Sequence, residues 1–158
     1  MGEIGLNDAR GYFKELAAPA FLEFWDEYQR DAVVDDERFG LIYRRLLTAV
    51  FFMNHMTDKI AKQRGIKDPV DVIEAIKGVD CEAGAALEIC RMLTNDVKHS
   101  KNRRHSYDFR DRNMPYDKPG AAQLPSWTYT DSLGGLHELG DVTWRAWCYW
   151  IDHRHERK

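Results

Sequence analysis

The stretch DDERFGLIYRRLLTAVFFMNHMTDKIAKQRG, residues 35–65, predicts a long helix from about residue 37 to 62. Asp35 or Asp36 is a favourable N-cap, and Gly65 is a favourable residue just beyond the end of a helix. The apolar residues recur at three- and four-residue steps, the period of a helix face. They form a main stripe, Phe39, Ile42, Leu46, Val50, Met53, Thr57 and Ile60, beside a second line, Leu47, Phe51, His55 and Asp58. Two such lines are typical of a helix at the centre of a bundle.

Similar patterns predict further helices over about 7–30, 69–76, 81–101 and 141–155. Pro19 should kink the first of these or open a second helix at its first turn. Between residues 106 and 140 the pattern changes, and residues 127–130 and 136–139 predict a hairpin that turns at Gly134 and Gly135. We therefore expect a mostly α fold in one domain, residues 1–158. It is an antiparallel helical bundle with a small β-hairpin, in an insertion at about 106–140, before the C-terminal helix.

The composition is that of a globular protein, because 44% of the 158 residues are hydrophobic and 31% are charged. A net charge of −3 gives no global attraction to nucleic acid or membranes. Cys81, Cys90 and Cys148 show no CxxC spacing, which argues against a disulfide framework and a zinc ribbon. No apolar run marks a signal peptide or a membrane span. We expect a bacterial or phage protein of the cytoplasm, without a membrane role and, as is common for bundles, a homodimer.

Two short polar stretches, NHMTD at 54–58 and NDVKH at 95–99, each place a histidine and an aspartate three residues apart. Residues at this spacing are neighbours on a helix surface. If the two helices pack side by side, four side chains converge: His55, Asp58, Asp96 and His99. Two imidazoles and two carboxylates are a ligand set for zinc, iron or manganese.

The same two stretches have other interpretations, and a divalent metal is the least favoured of them. Polar side chains at the edge of an apolar stripe commonly form hydrogen bonds there and have no further role. They can also make an acid–base site, in which His99 is the first candidate for proton transfer. The remaining catalytic candidates are His55, Asn95 and Lys98.

A basic segment follows His99 directly. Tyr107 and Phe109 are interleaved with its cations, which are Lys101, Arg103, Arg104, Arg110 and Arg112. Cations neutralise phosphates and aromatic rings stack on unpaired bases, so the segment is a candidate for RNA binding. An acidic protein partner would suit the same cations. Cations near a helix C-terminus are also favoured by the helix dipole without any ligand.

The HxxD element at His55 and the NxxKH element at Asn95 resemble those of a group of uncharacterised bacterial and phage helical proteins. The resemblance covers about residues 40–155, and the group has a β segment and a tryptophan-bearing last helix after these elements. Its second element is DxxNxxKH-like, whereas this chain has Met92 at the aspartate position. The group is similar in layout to HEPN-type domains, many of which are ribonucleases or nucleotide-binding partners in toxin–antitoxin and defence systems.

The ribonuclease signature of HEPN domains, an arginine followed by a histidine after four to six residues, does not occur in this sequence. The resemblance therefore implies a HEPN-like helical binding module of a phage or defence system that acts on RNA or a protein partner. Two alternatives stay open. One is a hydrolase of RNA or a nucleotide that uses His55 and His99 as acid–base or metal-binding groups, and the other is a purely structural protein.

Overall fold

The computed structural model describes residues 5–30, 32–99, 105–111 and 123–153, which form helices and one antiparallel sheet. The helices are α1 (Ala9–Tyr12), α2 (Ala18–Gln29), α3 (Asp36–Arg64), α4 (Pro69–Val79), α5 (Cys81–Lys98) and α6 (Leu139–His153). The strands are β1 (His105–Asp111), β2 (Gln123–Thr130) and β3 (Leu136–Glu138). The prediction of a mostly α fold with strands before the C-terminal helix is confirmed.

Helix α3 is the centre of the bundle, as its two apolar lines predict. The Asp35 side chain accepts a hydrogen bond from the backbone N–H of Arg38 at 2.8 Å, and Gly65 ends the helix at φ +68°. From Ile42 to Ile60 the residues of the main stripe are buried, whereas Phe39 at its start is partly buried. The helix contacts α1, α2, α4, α5 and α6, so it lies at the centre of the core. No helix among the described residues is long and apolar enough to cross a membrane.

Pro19 lies in the first turn of α2, directly after a π-helical turn over Phe13–Ala17 that joins α1 to α2. Proline has no N–H to donate to the carbonyl of Glu15, four residues earlier, and its ring crowds that carbonyl. A π-helical turn widens the chain locally. The chain therefore stays helical from Ala9 to Gln29, and Pro19 lies in the first turn of the segment that follows the π-helical turn.

Arg38 holds the connection between α2 and α3, a role that the sequence pattern did not indicate. It is 5% exposed and donates to the Glu27 carboxylate at 3.1 Å and to the Glu27 carbonyl at 2.9 Å. It also donates to the carbonyls of Arg30, Ala32 and Val33. Carbonyls at a helix C-terminus have no partner within the helix, and a single buried guanidinium provides one here.

The sheet has the order β1–β2–β3, with both pairs antiparallel. Strands β2 and β3 are the predicted hairpin, and Gly134 takes φ +84° in its turn. Strand β1 was not predicted, because the alternating aromatic residues Tyr107 and Phe109 in its sequence HSYDFRD were interpreted as part of the basic segment. Trp127 and Tyr129 of β2 are buried in the core, which attaches the sheet to the bundle.

Several predicted helix boundaries differ from the structure by one to three residues; α4, for example, ends at Val79 rather than at 76. Helix α5 ends at Lys98, three residues before the predicted end at 101, and α6 begins at Leu139, two residues before the predicted start at 141. Glu138 supplies the N-terminal cap of α6, because its carboxylate accepts from the backbone N–H of Asp141 at 2.7 Å. The predicted end of this helix at residue 155 lies outside the described residues.

Candidate functional site

His55 lies half-buried on α3 and faces α1. Its Nδ1 atom is 2.9 Å from the hydroxyl oxygen of Tyr12 on α1. Burial, with a smaller contribution from the charge of Asp58, raises the pKa of Tyr12 to about 12. The phenol therefore stays protonated near neutral pH and can donate to the imidazole. Phe52 packs edge-on against Tyr12 at 5.9 Å between ring centroids, so the pair is part of the α1–α3 contact.

Asp58 is the second ionisable residue of this stretch, and it is half-buried on α3. Burial raises the pKa of its carboxyl group, while the charges of His55 and Arg91 oppose that rise. Arg91 belongs to α5, so a charge on α5 acts on a carboxyl group of α3. The residue that supplies it was not among the predicted site residues.

The stretch NDVKH on α5 has different neighbours from those predicted. The Asp96 carboxylate accepts a hydrogen bond from the hydroxyl of Tyr129 on β2 at 2.8 Å. Asn95, Lys98 and His99 are exposed, and His99 caps the end of α5 with its backbone N–H donated to the carbonyl of Asn95 at 3.0 Å. His55 thus pairs with the N-terminal helix, while His99 lies at the solvent-exposed end of α5.

The predicted metal ligands are consequently not assembled. Over residues 5–30, 32–99, 105–111 and 123–153, no group of three or more histidine, cysteine or acidic side chains could hold a metal ion. The predicted set was His55, Asp58, Asp96 and His99. Its members are divided between contacts with α1, with Arg91 and with β2, because the helix faces that carry them pack against different elements.

The basic segment is described only in part. Lys101, Arg103, Arg104 and Arg112 lie outside the described residues. The backbone of Arg110 belongs to β1 and pairs with Leu124 of β2. The prediction that these cations bind nucleic acid stays a prediction.

A pocket of about 210 Å³ lies where β1 and β2 meet the start of α3. We call it the aromatic pocket, and it is lined by Phe39, Tyr43, His105, Ser106, Tyr107 and Trp127. Side chains alternate along a strand, so His105 and Tyr107 share one face of the sheet with Trp127, which is directly opposite Tyr107 in the register. That face packs on α3, one helical turn of which contributes Phe39 and Tyr43.

The rings of this pocket form a graded surface from buried to exposed. Trp127 is 3% exposed and stacks on Tyr43 with 5.4 Å between ring centroids. Phe39 contacts Trp127 at 5.2 Å and Tyr107 at 5.1 Å. Tyr107 is 61% exposed, so the outer rim of the pocket presents an aromatic ring to solvent.

His105 is the one ionisable imidazole in the lining. Its Nδ1 atom is 3.1 Å from the hydroxyl oxygen of Tyr43, whereas its Nε2 atom is buried without a hydrogen-bond partner among the residues that the structure describes. Burial lowers the pKa of His105 and raises the pKa of Tyr43, so both side chains are uncharged near neutral pH. The pocket is therefore lined by aromatic rings and by an imidazole whose Nε2 atom is buried and lacks a hydrogen-bond partner among the described residues.

Sequence reasoning missed this pocket, although part of its signal is present. The period-two spacing of His105 and Tyr107, and of Trp127 and Tyr129, indicates one face of a sheet. Nothing in the sequence connects that face with Phe39 and Tyr43, which lie more than sixty residues before β1.

The comparisons with known proteins give no family for this chain. No family model matches it, and no curated protein or solved structure does. The likeness to HEPN-type domains remains a prediction from short motifs, so the geometry of the site is the basis for inferring a function.

Proposed function

We propose that this chain is a non-catalytic binding module that holds single-stranded RNA against the aromatic pocket and the adjoining basic segment. The observation that carries the proposal is the aromatic pocket, whose exposed rim residue, Tyr107, lies within the basic segment itself. The resemblance of the motifs to those of HEPN-like proteins agrees with RNA as the ligand and with a role in a phage or defence system.

The positions of the cations in the sequence support a nucleic acid rather than a small apolar ligand. In the sequence, Lys101, Arg103 and Arg104 precede His105, and Arg110 and Arg112 follow Tyr107 and Phe109. Cations that precede and follow aromatic residues in this way suit a phosphate backbone, since single-strand binders combine a basic track with stacking rings. The pocket volume of about 210 Å³ is below the roughly 300 Å³ of a drug-sized ligand site and suits a single planar ring system.

The first experiment reverses the charge of two cations, in an Arg103→Glu, Arg104→Glu variant, and measures binding of labelled single-stranded RNA over a salt series. On a single strand, each lost phosphate contact reduces the slope of log binding constant against log salt concentration by about 0.7 in magnitude. For two lost contacts we expect a reduction of about 1.4. Affinity at low salt should fall by more than tenfold. Wild-type affinity across the whole series would contradict the RNA proposal.

A Lys62→Glu, Lys67→Glu variant is the matched control, because it makes the same change of charge elsewhere. Lys62 lies nineteen residues beyond Tyr43 on α3, which is about 28 Å along the helix. This variant should retain wild-type binding. Equal losses of RNA affinity in both variants would show that only the net charge of the protein matters. That result would favour an acidic protein as the partner of these cations.

The second experiment tests the rim of the pocket with Tyr107→Ala. Stacking of a base on an aromatic side chain contributes about 1–3 kcal/mol, so RNA binding should weaken by roughly 5- to 150-fold. Leu136→Ala is the matched control, because Leu136 is 72% exposed on β3, at the opposite edge of the same sheet. Thermal stability should change little in either variant, since both side chains are largely exposed.

A further inference from the structure

We infer that the aromatic pocket accepts one unstacked nucleobase of the bound strand, whose edge accepts a hydrogen bond from His105, so that this residue determines which base is preferred. The inference rests on the proposed function and goes beyond it, because a basic track with an exposed ring binds any sequence. A base held in a pocket by a directed hydrogen bond gives selectivity among the four bases.

The shape of the pocket supports a base rather than another part of the strand. Its walls are aromatic rings, with buried Trp127 stacked on partly buried Tyr43 and with Tyr107 at the rim. A nucleobase is itself a flat ring system with polar atoms only at its edge, so its faces match these rings. Ribose and phosphate, which are bulky and polar, do not.

The position of His105 supplies the polar contact that a base edge needs. One ring nitrogen, Nδ1, contacts the Tyr43 hydroxyl at 3.1 Å, and the other, Nε2, is buried without a partner among the described residues. Buried polar atoms almost always have a hydrogen-bond partner in the functional state of a protein. Nε2 has no exposed surface, so the atoms over it must move when a base enters the pocket. The edge of the base then becomes the hydrogen-bond partner of Nε2.

The chemistry of His105 selects an uncharged partner. Burial holds the pKa of this imidazole below its usual range, so the ring is neutral near pH 7 and does not pair with a phosphate as a cation. The Tyr43 phenol keeps its proton and can donate it to Nδ1, which leaves Nε2 as the protonated nitrogen. Nε2–H then donates to a carbonyl oxygen or an unprotonated ring nitrogen at the edge of the base.

The test compares wild type with His105→Phe and Tyr43→Phe on five octamers: the four homopolymeric RNAs and an abasic ribose-phosphate strand. His105→Phe keeps a flat aromatic ring but has no hydrogen-bond donor, and Tyr43→Phe keeps the stack but removes the hydroxyl that orients His105. Wild type should bind base-bearing strands at least tenfold more tightly than the abasic strand and should discriminate among the four bases. Both variants should still prefer base-bearing strands, and both should discriminate among the bases severalfold less.

Each other outcome is decisive. If the ratio of wild-type to His105→Phe affinity is the same for all four homopolymers, His105 does not read the base and the inference is overturned while RNA binding stands. If wild type binds no octamer, the proposed function itself is wrong. If a mononucleotide competes at the same concentration as the octamers, the pocket serves a free nucleotide, and the inference of a base within a strand is overturned. Far-UV circular dichroism of each variant shows whether the fold is retained.

Discussion

Replacing Arg38 with methionine should destabilise this protein more than the replacement of any exposed charged residue. The guanidinium is buried and donates to the Glu27 carboxylate and to four carbonyls at the end of α2 and in the loop after it. Methionine fills a similar volume but donates nothing. Glu27, which is itself only 9% exposed, would keep its buried charge while losing the partner that lies deepest in the protein.

The size of the loss follows from this geometry. Removing one partner of a buried ion pair costs about 3–5 kcal/mol. Here Glu27 keeps only its contacts with the more exposed Arg30 and Arg45, and four backbone carbonyls lose the guanidinium donor. A domain of this size loses roughly 2–4 °C in melting temperature per kcal/mol, so the expected decrease is about 6–20 °C. Since whole domains are stable by only about 5–15 kcal/mol, the variant should lose a substantial fraction of its free energy of unfolding.

Urea unfolding followed by far-UV circular dichroism measures this loss, and Arg30→Met is the matched control. Arg30 contacts the same carboxylate oxygen of Glu27 at 2.7 Å, but its side chain is 58% exposed. An exposed ion pair contributes at most about 1 kcal/mol, so the control should unfold close to wild type. Equal midpoints for the two variants would refute the reasoning, because burial would then make no difference to the value of the contact.

Three smaller effects are also expected. Iodoacetamide should modify exposed Cys81 in the native protein and leave Cys90 unmodified. Cys90 is fully buried, and burial raises the pKa of its thiol to about 12. Rapid labelling of Cys90, detected by mass spectrometry, would contradict this expectation. Gly65→Ala should lower the free energy of unfolding by about 1–2 kcal/mol, measured in urea, because φ is +68° and only glycine adopts this region without cost; an unchanged midpoint would argue against the left-handed cap. Wild type should lose more stability than His105→Gln as the pH falls below about 6.5. The pKa of His105 is lowered in the folded state, so the unfolded chain binds a proton that the folded chain does not, and parallel pH profiles of the two proteins would count against this effect.

Much of the helical framework follows from local signals. Asp35, Asp68 and Asp80 each accept hydrogen bonds from backbone N–H groups at the start of a helix, and Gly65 ends α3. These effects involve residues within four positions of one another, and hence they can be read directly from the chain. The apolar stripe of α3 is also recognisable from the sequence, because burial of one helix face makes apolar residues recur at three- and four-residue steps.

Strand β1 shows where local signals end. Tyr107 and Phe109 alternate with polar residues, but this signal is short and is mixed with charged residues. The backbone groups of β1 pair with β2, a strand twelve or more residues further along the chain. A strand of this kind is stabilised by its partner rather than by its own propensity. The same holds for Arg38, which looks like an ordinary charged residue on an amphipathic helix until the end of α2 is placed against it.

The sequence by itself determined which residues form helices, which of their faces are buried, and that His55, Asp58, Asp96 and His99 lie at the edges of those faces. Only the tertiary structure decided what each of them meets: Tyr12 for His55, and Tyr129 for Asp96. Only it brings Tyr43 to His105, sixty-two positions apart, to form the aromatic pocket. The physical reason is that helical periodicity specifies the direction in which a side chain points from the helix axis. The neighbours of that side chain depend on which elements pack against the helix, and this is determined by the packing of the whole core.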